Sequence, residues 1–540
     1  MQDLPLSTNM ILRRGLRYYP DQQIATRRAD GQMDRMTFAE FGRRARRMAG
    51  VLDTLDLSAP DARVGTFGWN TGNHMVAYFA VPGSGRVVHT INIRLFPEQV
   101  LYSVRHAEDE VILVDRSLLP LMAKYLPGLD TVRHVLVLDD GAPTELPDDP
   151  RVRLYDDVAA EAEPVDFTDR VLHENSAAAM CYTTGTTGNP KAVVYSHRST
   201  FLHAYAGLVG EALGIAAGDA VLPVVPMFHA NAWGIPYTAM LAGARVVMPG
   251  PDLTPDGLLR LMQDEKVTVT AGVPTIWMGL LGKLDEYDLP ALSKVMCGGS
   301  AVPRSLSEAW RGKLGMGITQ GWGMTETSPV ASLSLVRAEL AEADEEVLAD
   351  FRAKAGIALP GVEMRIVDED GRELPWDDKA AGQVEVRGPW VASGYYNAEE
   401  DAASHFSDDG WLRTGDVGAI DPLGYLRLVD RTKDLIKSGG EWISSVELEN
   451  KIMAHPAVAE AAVIAVPHPK WMERPLACVV LTPGASLDKD ELAEFLTKAG
   501  VTRWGLPDDV VFVEDLPKTS VGKFSKRTLR ERYADYQLPE

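Results

Sequence analysis

Short apolar runs alternate with amphipathic stretches through the first part of the chain. Arg63-Val64-Gly65-Thr66-Phe67-Gly68-Trp69, Arg86-Val87-Val88-His89-Thr90, Val111-Ile112-Leu113-Val114-Asp115 and Val135-Leu136-Val137-Leu138 have the length and content of buried strands. Thr37-Phe38-Ala39-Glu40 is a capping-box pattern, and Phe41, Ala45, Met48, Ala49 and Leu52 then share one helical face. Arg43, Arg44, Arg46 and Arg47 read as its solvated flank. Pro97 opens another helical stretch, as proline suits the first helical position. Residues 1–36 read as an irregular lead-in, and the acidic, proline-bearing segment 139–172 as a surface excursion.

The pattern repeats further on. Ala177-Ala178-Ala179-Met180-Cys181 and Ala192-Val193-Val194-Tyr195 read as strands, and Ser196 caps a helix running to about Gly210. Val221–Pro226 and strands near 245–248, 267–271 and 294–297 make a second alternating block. Two such halves side by side leave a cleft at the carboxyl ends of their strands. From residue 361 the period shortens to two, in Met364-Arg365-Ile366-Val367, Gln383-Val384-Glu385-Val386-Arg387 and Leu426-Arg427-Leu428-Val429, which predicts a small β-rich subdomain. Beyond it, Ser444 and Ser445 begin a helix ending near His455. Strands near 458–466, 476–482 and 508–513 and a helix from Lys489 to Ala499 complete a small α+β domain. The predicted class is α/β: a large N-terminal domain, 1–430, of two layered α/β subdomains and a β-rich subdomain, then a small α+β C-terminal domain, 431–540. No short-period repeat points to a solenoid or propeller.

Composition narrows the function. A chain of 540 residues exceeds what one core fills, and 46% hydrophobic with 24% charged residues is ordinary for a soluble protein. A net charge of −22 argues against nucleic acid as a partner, so an anionic ligand needs locally placed cations. Cys181, Cys297 and Cys478 are too far apart for a metal or disulfide pattern and suit a reducing cytosol. The N-terminus has no basic segment leading into an apolar core, and no apolar run reaches the ~18 residues a membrane span needs. The expected location is cytoplasmic, without stable membrane insertion.

The chemistry is concentrated in a few stretches. Tyr182-Thr183-Thr184-Gly185-Thr186-Thr187-Gly188-Asn189-Pro190-Lys191 packs hydroxyls, two glycines and a lysine between two strands, a composition suited to cradling phosphate. It lacks the Gly-Lys-Ser/Thr ending and following helix of the nucleotide-triphosphatase P-loop. Cys297-Gly298-Gly299-Ser300-Ala301 lets a flat ligand approach the backbone after a strand. In Gln320-Gly321-Trp322-Gly323-Met324-Thr325-Glu326-Thr327, Trp322 offers a stacking face, Thr325 a hydroxyl for the α-phosphate and Glu326 a hard oxygen ligand for Mg²⁺. Gly410–Asp416 ends at a carboxylate able to accept from ribose hydroxyls. Met227-Phe228-His229-Ala230-Asn231-Ala232-Trp233 places a histidine and an indole after a predicted strand. If Trp233 forms a pocket floor, it shortens the chain the pocket accepts. Pro517–Glu540 holds six basic and three acidic residues, and Gly522 frees the backbone ahead of Lys523.

These blocks, in this order, resemble the adenylate-forming superfamily of acyl-CoA synthetases, peptide-synthetase adenylation domains and beetle luciferases. The resemblance runs from Thr183 to Lys523, with Trp322 where the family usually has tyrosine. It is nearest to short- and medium-chain fatty acyl-CoA ligases and 3-methylmercaptopropionate-CoA ligases. It implies ATP, Mg²⁺ and CoA as cofactors, a small carboxylic acid as substrate, and an acyl-adenylate made first and passed to the CoA thiol second. Thr183, Thr184, Gly185, Thr186, Thr187, Gly188 and Lys191 would hold phosphates. Gly299, Ser300, Gly321, Trp322, Gly323, Thr325, Asp416 and Arg431 would hold the rest of the nucleotide. Glu326 would hold the metal, and Lys523 would bridge the reacting groups. His229, Trp233, Gly298 and Gly299 would line the acyl pocket. Gly439, Gly440, Glu441 and Trp442 would line the CoA tunnel, and Lys433 and Asp434 would form the hinge of a mobile small domain. Family members often form dimers, so a homodimer is compatible. The resemblance also admits an aryl-CoA ligase, a luciferase-like oxygenase, a non-catalytic nucleotide binder, or an adenylation enzyme loading a carrier, which would have to be a separate chain since this one ends soon after Lys523.

Overall fold

The computed structural model describes residues 1–170, 172–183, 189–210, 212–340, 342–398, 405–439, 441–518 and 524–538. Within these, the large N-terminal part is built on two mostly parallel sheets. The first runs Val152–Leu154, His134–Leu138, Asp109–Asp115, Arg63–Phe67, Val87–Thr90, Ala177–Tyr182, Ala192–Ser196, and only the last pairing is antiparallel. The second has a parallel centre of Ile318–Gly323, Lys294–Cys297, Val269–Gly272, Ala220–Pro223, Arg245–Met248 and Gln23–Arg27, with antiparallel strands at both edges. Strand Asp109–Asp115 is buried at every position, as a parallel strand covered on both faces should be.

Helices fill the space between the two sheets. Thr37 caps helix Phe38–Thr54 through the Glu40 N–H, and Phe41 meets Phe79 of helix Gly72–Gly83 edge to face at 5.5 Å. Tyr237 of helix Ile235–Ala242 stacks on Tyr78 at 5.7 Å, joining the layers through aromatic area. A four-stranded antiparallel sheet follows, ordered Glu363–Val367, Gly382–Arg387, Leu412–Ile420, Leu426–Arg431. The last sheet pairs Val458–His468 with Met472–Leu481, adds Ile436–Ser438 and Glu441–Ile443 on one side and takes Asp509–Phe512 as a parallel neighbour. No helix among the described residues is long and apolar enough to cross a membrane.

Two sequence expectations need correction. The lead-in is ordered: Ser7 caps helix Thr8–Tyr18, and Gln23–Arg27 joins the second sheet beside Arg245–Met248. One of its two partner strands lies far along the chain, and the other, Met33-Asp34-Arg35-Met36-Thr37, is a polar run that hides the alternation. The segment 139–172 also contributes structure. Val152–Leu154 extends the first sheet, and Arg47, expected on a solvated flank, donates to the carbonyls of Ala159 and Ala162 at 2.8 and 2.7 Å.

Candidate active site

The predicted phosphate loop is a hairpin. Tyr182 pairs with Ala192, the Thr183 N–H donates to the Lys191 carbonyl at 2.8 Å, and the Lys191 N–H donates to Thr183 Oγ1 at 3.3 Å. Thr184, Gly185, Thr186, Thr187 and Gly188, at its tip, lie outside the described residues, as do Gly440 and Lys523. Lys191 Nζ donates to His405 Nε2 at 2.8 Å and stands 5.1 Å from the centre of the Tyr395 ring.

The hairpin is tied to the second sheet. Tyr195 O–H donates to the carbonyl of Thr325 at 2.7 Å, at the turn that ends strand Ile318–Gly323. That turn holds the buried Glu326, whose Oε1 accepts the Tyr395 O–H at 2.5 Å. Burial pushes the Glu326 carboxyl up, and Tyr395, Arg431 and Lys191 pull it back. Gly323 has no room for a side chain, since a Cβ would stand 1.8 Å from the Pro329 carbonyl oxygen.

Trp322 is buried, and its indole N–H donates to Asp416 Oδ2 at 2.9 Å. The other oxygen, Asp416 Oδ1, accepts from Arg431 Nε at 3.0 Å. Asp416 and Arg431 are cross-strand partners, so one carboxylate joins the second sheet to two strands of the β-rich subdomain. Asp416 is the first cause holding the Arg431 guanidinium above its ordinary value. Each carboxylate oxygen keeps a second acceptor direction.

Asn70 organises the loop after strand Ala220–Pro223. Its Nδ2 donates to the carbonyls of Pro223 and Val225 at 2.8 and 2.9 Å, and its Oδ1 accepts from Met227 N–H at 2.7 Å. Tyr78 O–H donates to the Met227 carbonyl. The half-buried His229 then opens a turn in which Ala230, Asn231, Ala232, Trp233 and Gly234 have φ of 43°, 52°, 49°, 56° and 68°. Four non-glycine residues in the left-handed region cost roughly 1–2 kcal/mol each. Burying the Trp233 indole, on the order of 200 Å² or about 5 kcal/mol, offsets much of that. The Trp233 ring lies against the backbone of Gly298: a Cβ there would stand 3.0 Å from Trp233 Cη2 and 3.0 Å from the Gly321 carbonyl oxygen. Cys181 S–H donates to Asn231 Oδ1 at 3.2 Å, fastening the turn to the first sheet. Gly299 turns with φ 88°, and Ser300 is exposed beyond it.

The remaining predicted residues lie around the junction with the small domain. Arg431 and Thr432 hold the large part, the latter through its N–H to the Gly415 carbonyl at 3.0 Å. Asp434 pairs with Arg530 at 2.6 Å. Burial, then Arg431, pushes the Lys433 ammonium down to about 8. Ser444 Oγ donates to the Val429 carbonyl, and Ser445 N–H donates to Asp430 Oδ2 at 2.6 Å. Lys526, on the last helix, reaches Ser445 Oγ at 2.6 Å and Glu449 at 2.9 Å. The hairpin of Gly439, Glu441 and Trp442 bonds within the small domain, with Gly439 N–H on the Trp471 carbonyl at 2.9 Å, and Trp442 is about half exposed. Tyr395, His405, Asn70 and Tyr195 were not singled out by sequence. A Gly-Tyr-Tyr triplet at 394–396 was the available sign for the first.

The fold and these contacts define a nucleotide-binding enzyme class. The sequence matches the AMP-binding enzyme family over residues 12–396 and the AMP-binding enzyme C-terminal domain over 447–523. It is 46% identical to a long-chain-fatty-acid–CoA ligase of Thermus thermophilus, over 99% of this chain and 97% of that one. It is 42% identical to a 3-methylmercaptopropionyl-CoA ligase of Ruegeria lacuscaerulensis, over 99% of this chain and 98% of that one. The fold is similar to that of the anthranilate CoA ligase AuaEII in complex with anthranoyl-AMP, with TM-score 0.87 and 25% identity over 99% of both chains. It is also similar to ATP-bound MatB from Rhodopseudomonas palustris, with TM-score 0.83 and 29% identity over 98% and 99% of the two chains. The chain belongs to the adenylate-forming superfamily of AMP-binding enzymes. Within it, it is an AMP-forming acyl-CoA ligase, an acid–thiol ligase whose substrates include ATP and CoA.

Proposed function

We propose that the acid is a short- or medium-chain carboxylate, with 3-methylmercaptopropionate among the candidates. The observation that supports this is the Trp233 indole held against the Gly298 backbone by a left-handed turn, where a large ring takes up space that a longer acyl chain would need. The medium-chain-fatty-acid–CoA ligase of Ectopseudomonas oleovorans, 40% identical over 97% of this chain and 95% of that one, points the same way.

The carboxylate attacks the α-phosphorus of ATP and pyrophosphate leaves. Charge gathers on phosphate oxygens, so positioning and electrostatics carry the step. Thr183, Thr184, Gly185, Thr186, Thr187, Gly188 and Lys191 cradle the phosphates, Thr325 meets the α-phosphate, and Trp322, Asp416 and Arg431 hold adenosine. His229 borders the carboxylate, and Lys523 bridges acid and phosphate. Glu326, a buried carboxylate just after strand Ile318–Gly323, would hold Mg²⁺, a cation that takes oxygen ligands. Bound there, Mg²⁺ supplies neutralisation of phosphate charge. The second step needs room beside the acyl carbonyl for the CoA thiol. The small domain, taken to begin after residue 430, turns about Lys433 and Asp434 to exchange Lys523 for the Gly439–Trp442 hairpin. The buried cysteines suit a reducing cytosol.

Pyrophosphate release and acyl-CoA formation, measured over straight-chain, thioether and aryl acids, test the reading. The highest kcat/KM is expected among short and medium straight-chain or thioether acids, and an aryl preference would overturn it in favour of an aryl-CoA ligase. Lys523→Ala should cut pyrophosphate release about 100-fold or more while sparing thioester formation from supplied acyl-AMP. Equal loss in both half-reactions removes Lys523 from its role.

A further inference from the structure

Tyr395 and Tyr396 are neighbours in a segment that joins no sheet, yet each grips a different side of the nucleotide site. The Ala392 N–H donates to the Glu326 carbonyl at 2.7 Å, and the Ser328 hydroxyl donates to the Trp390 carbonyl at 2.7 Å, which fasten the segment to the Glu326 turn. Tyr396 N–H donates to the Ala192 carbonyl at 2.9 Å, which fastens the same segment to the phosphate-loop hairpin, and its phenol oxygen accepts from Arg63 of the first sheet at 2.8 Å. Tyr395, anchored from both directions, puts its hydroxyl on Glu326 Oε1 at 2.5 Å and its ring 5.1 Å below Lys191 Nζ. The His405 ring, which accepts from Lys191 Nζ, meets the Tyr395 ring edge to face at 5.1 Å.

We propose that Tyr395 is a positioning residue of the nucleotide site: its hydroxyl holds one Glu326 oxygen so that the other is presented to the cation accompanying the triphosphate, and its ring seats the Lys191 ammonium. The inference rests on the role given above to Glu326. A glutamate carboxylate rotates about a broad, two-fold torsion, so a single unheld carboxylate is a poor ligand for an ion that demands set geometry. A short hydrogen bond to an ionised oxygen removes that freedom, and carboxylates that bind metals are commonly fixed in this way. The aromatic face attracts the ammonium, keeping it beside the phosphate end of the site. One side chain thus spaces the metal ligand from the phosphate cation.

Tyr395→Phe removes the hydroxyl and keeps the ring. Mn²⁺ serves as the probe, its binding to the enzyme–ATP complex read by electron paramagnetic resonance, with ATP affinity measured separately in EDTA. Tyr395→Phe should weaken Mn²⁺ binding by about 10–100-fold and leave EDTA-ATP affinity within about twofold. Tyr395→Leu, which also loses the ring, should weaken both. Unchanged Mn²⁺ binding in Tyr395→Phe, or an equal loss of metal-free ATP binding, overturns the proposal. Glu326→Gln separates the two layers. If it binds Mn²⁺ as wild type does, the Glu326 reading falls; if it loses Mn²⁺ while Tyr395→Phe does not, only the Tyr395 proposal falls.

Discussion

The Asp416 carboxylate is the most heavily shared group in the site. It takes an indole N–H and a guanidinium N–H on separate oxygens, so it is fixed before a nucleotide arrives. Trp322→Phe keeps an aromatic face and deletes one of those donors. A hydrogen bond to a charged acceptor is worth about 1.5–3 kcal/mol, so the KM for ATP should rise about tenfold or more with little change in kcat. A steady-state ATP titration checks it, and an unchanged KM would leave the indole N–H irrelevant. The positions of Trp322, Glu326, Asp416 and Arg431 were legible in sequence because chemistry-bearing side chains sat in a recognisable order. Tyr395 and His405 were not, because what makes them matter is contact with Glu326 and Lys191, 69 and 214 residues away.

At the scale of elements, the turn from Ala230 to Gly234 carries the substrate reading. It is strained, yet fastened by Asn70 and Tyr78 before it and by Cys181 beneath it. Trp233→Ala should shift preference toward longer or bulkier acids, read as a change in the order of kcat/KM across a chain-length series; an unchanged order would take Trp233 out of the pocket. Six strands of the first sheet and four of the second showed in sequence as apolar runs with turn residues between them. The left-handed turn did not, because such backbone normally announces itself by glycine, and here Ala230, Ala232 and Trp233 adopt it under tertiary constraint. Strand Gln23–Arg27 was hidden for the related reason that its parallel partner lies more than two hundred residues away, and Met33–Thr37 because its polar run masks the alternation.

Across the whole molecule, three buried histidines sit at joints between layers. His74 accepts and donates between the Trp69 carbonyl and Thr66, His197 holds Thr8 of the first helix at 3.1 Å, and the His203 ring meets Trp390 edge to face at 5.9 Å. Burial lowers each to about 4, from an ordinary value near 6.5. The unfolded chain therefore binds protons between those values that the folded chain refuses, and stability falls as pH drops from about 6.5 toward 4. From pH 7 to pH 5 the loss is about 2 kcal/mol per histidine. Urea midpoints should fall across that range, and His203→Gln should flatten the slope. A midpoint independent of pH would show that these side chains ionise without unfolding their surroundings.

Adjacent residues at the domain junction are pulled opposite ways. Val429 and Asp430 are engaged by Ser444 and Ser445 of the small domain, while Arg431 and Thr432 are engaged by Asp416 and Gly415 of the large one. The swing proposed above would have to release the two serines, but it need not disturb the aspartate. On that proposal, letting go of one lobe and keeping hold of AMP are mechanically independent, which is what an enzyme needs if its activated intermediate is to stay put while the second nucleophile takes its turn.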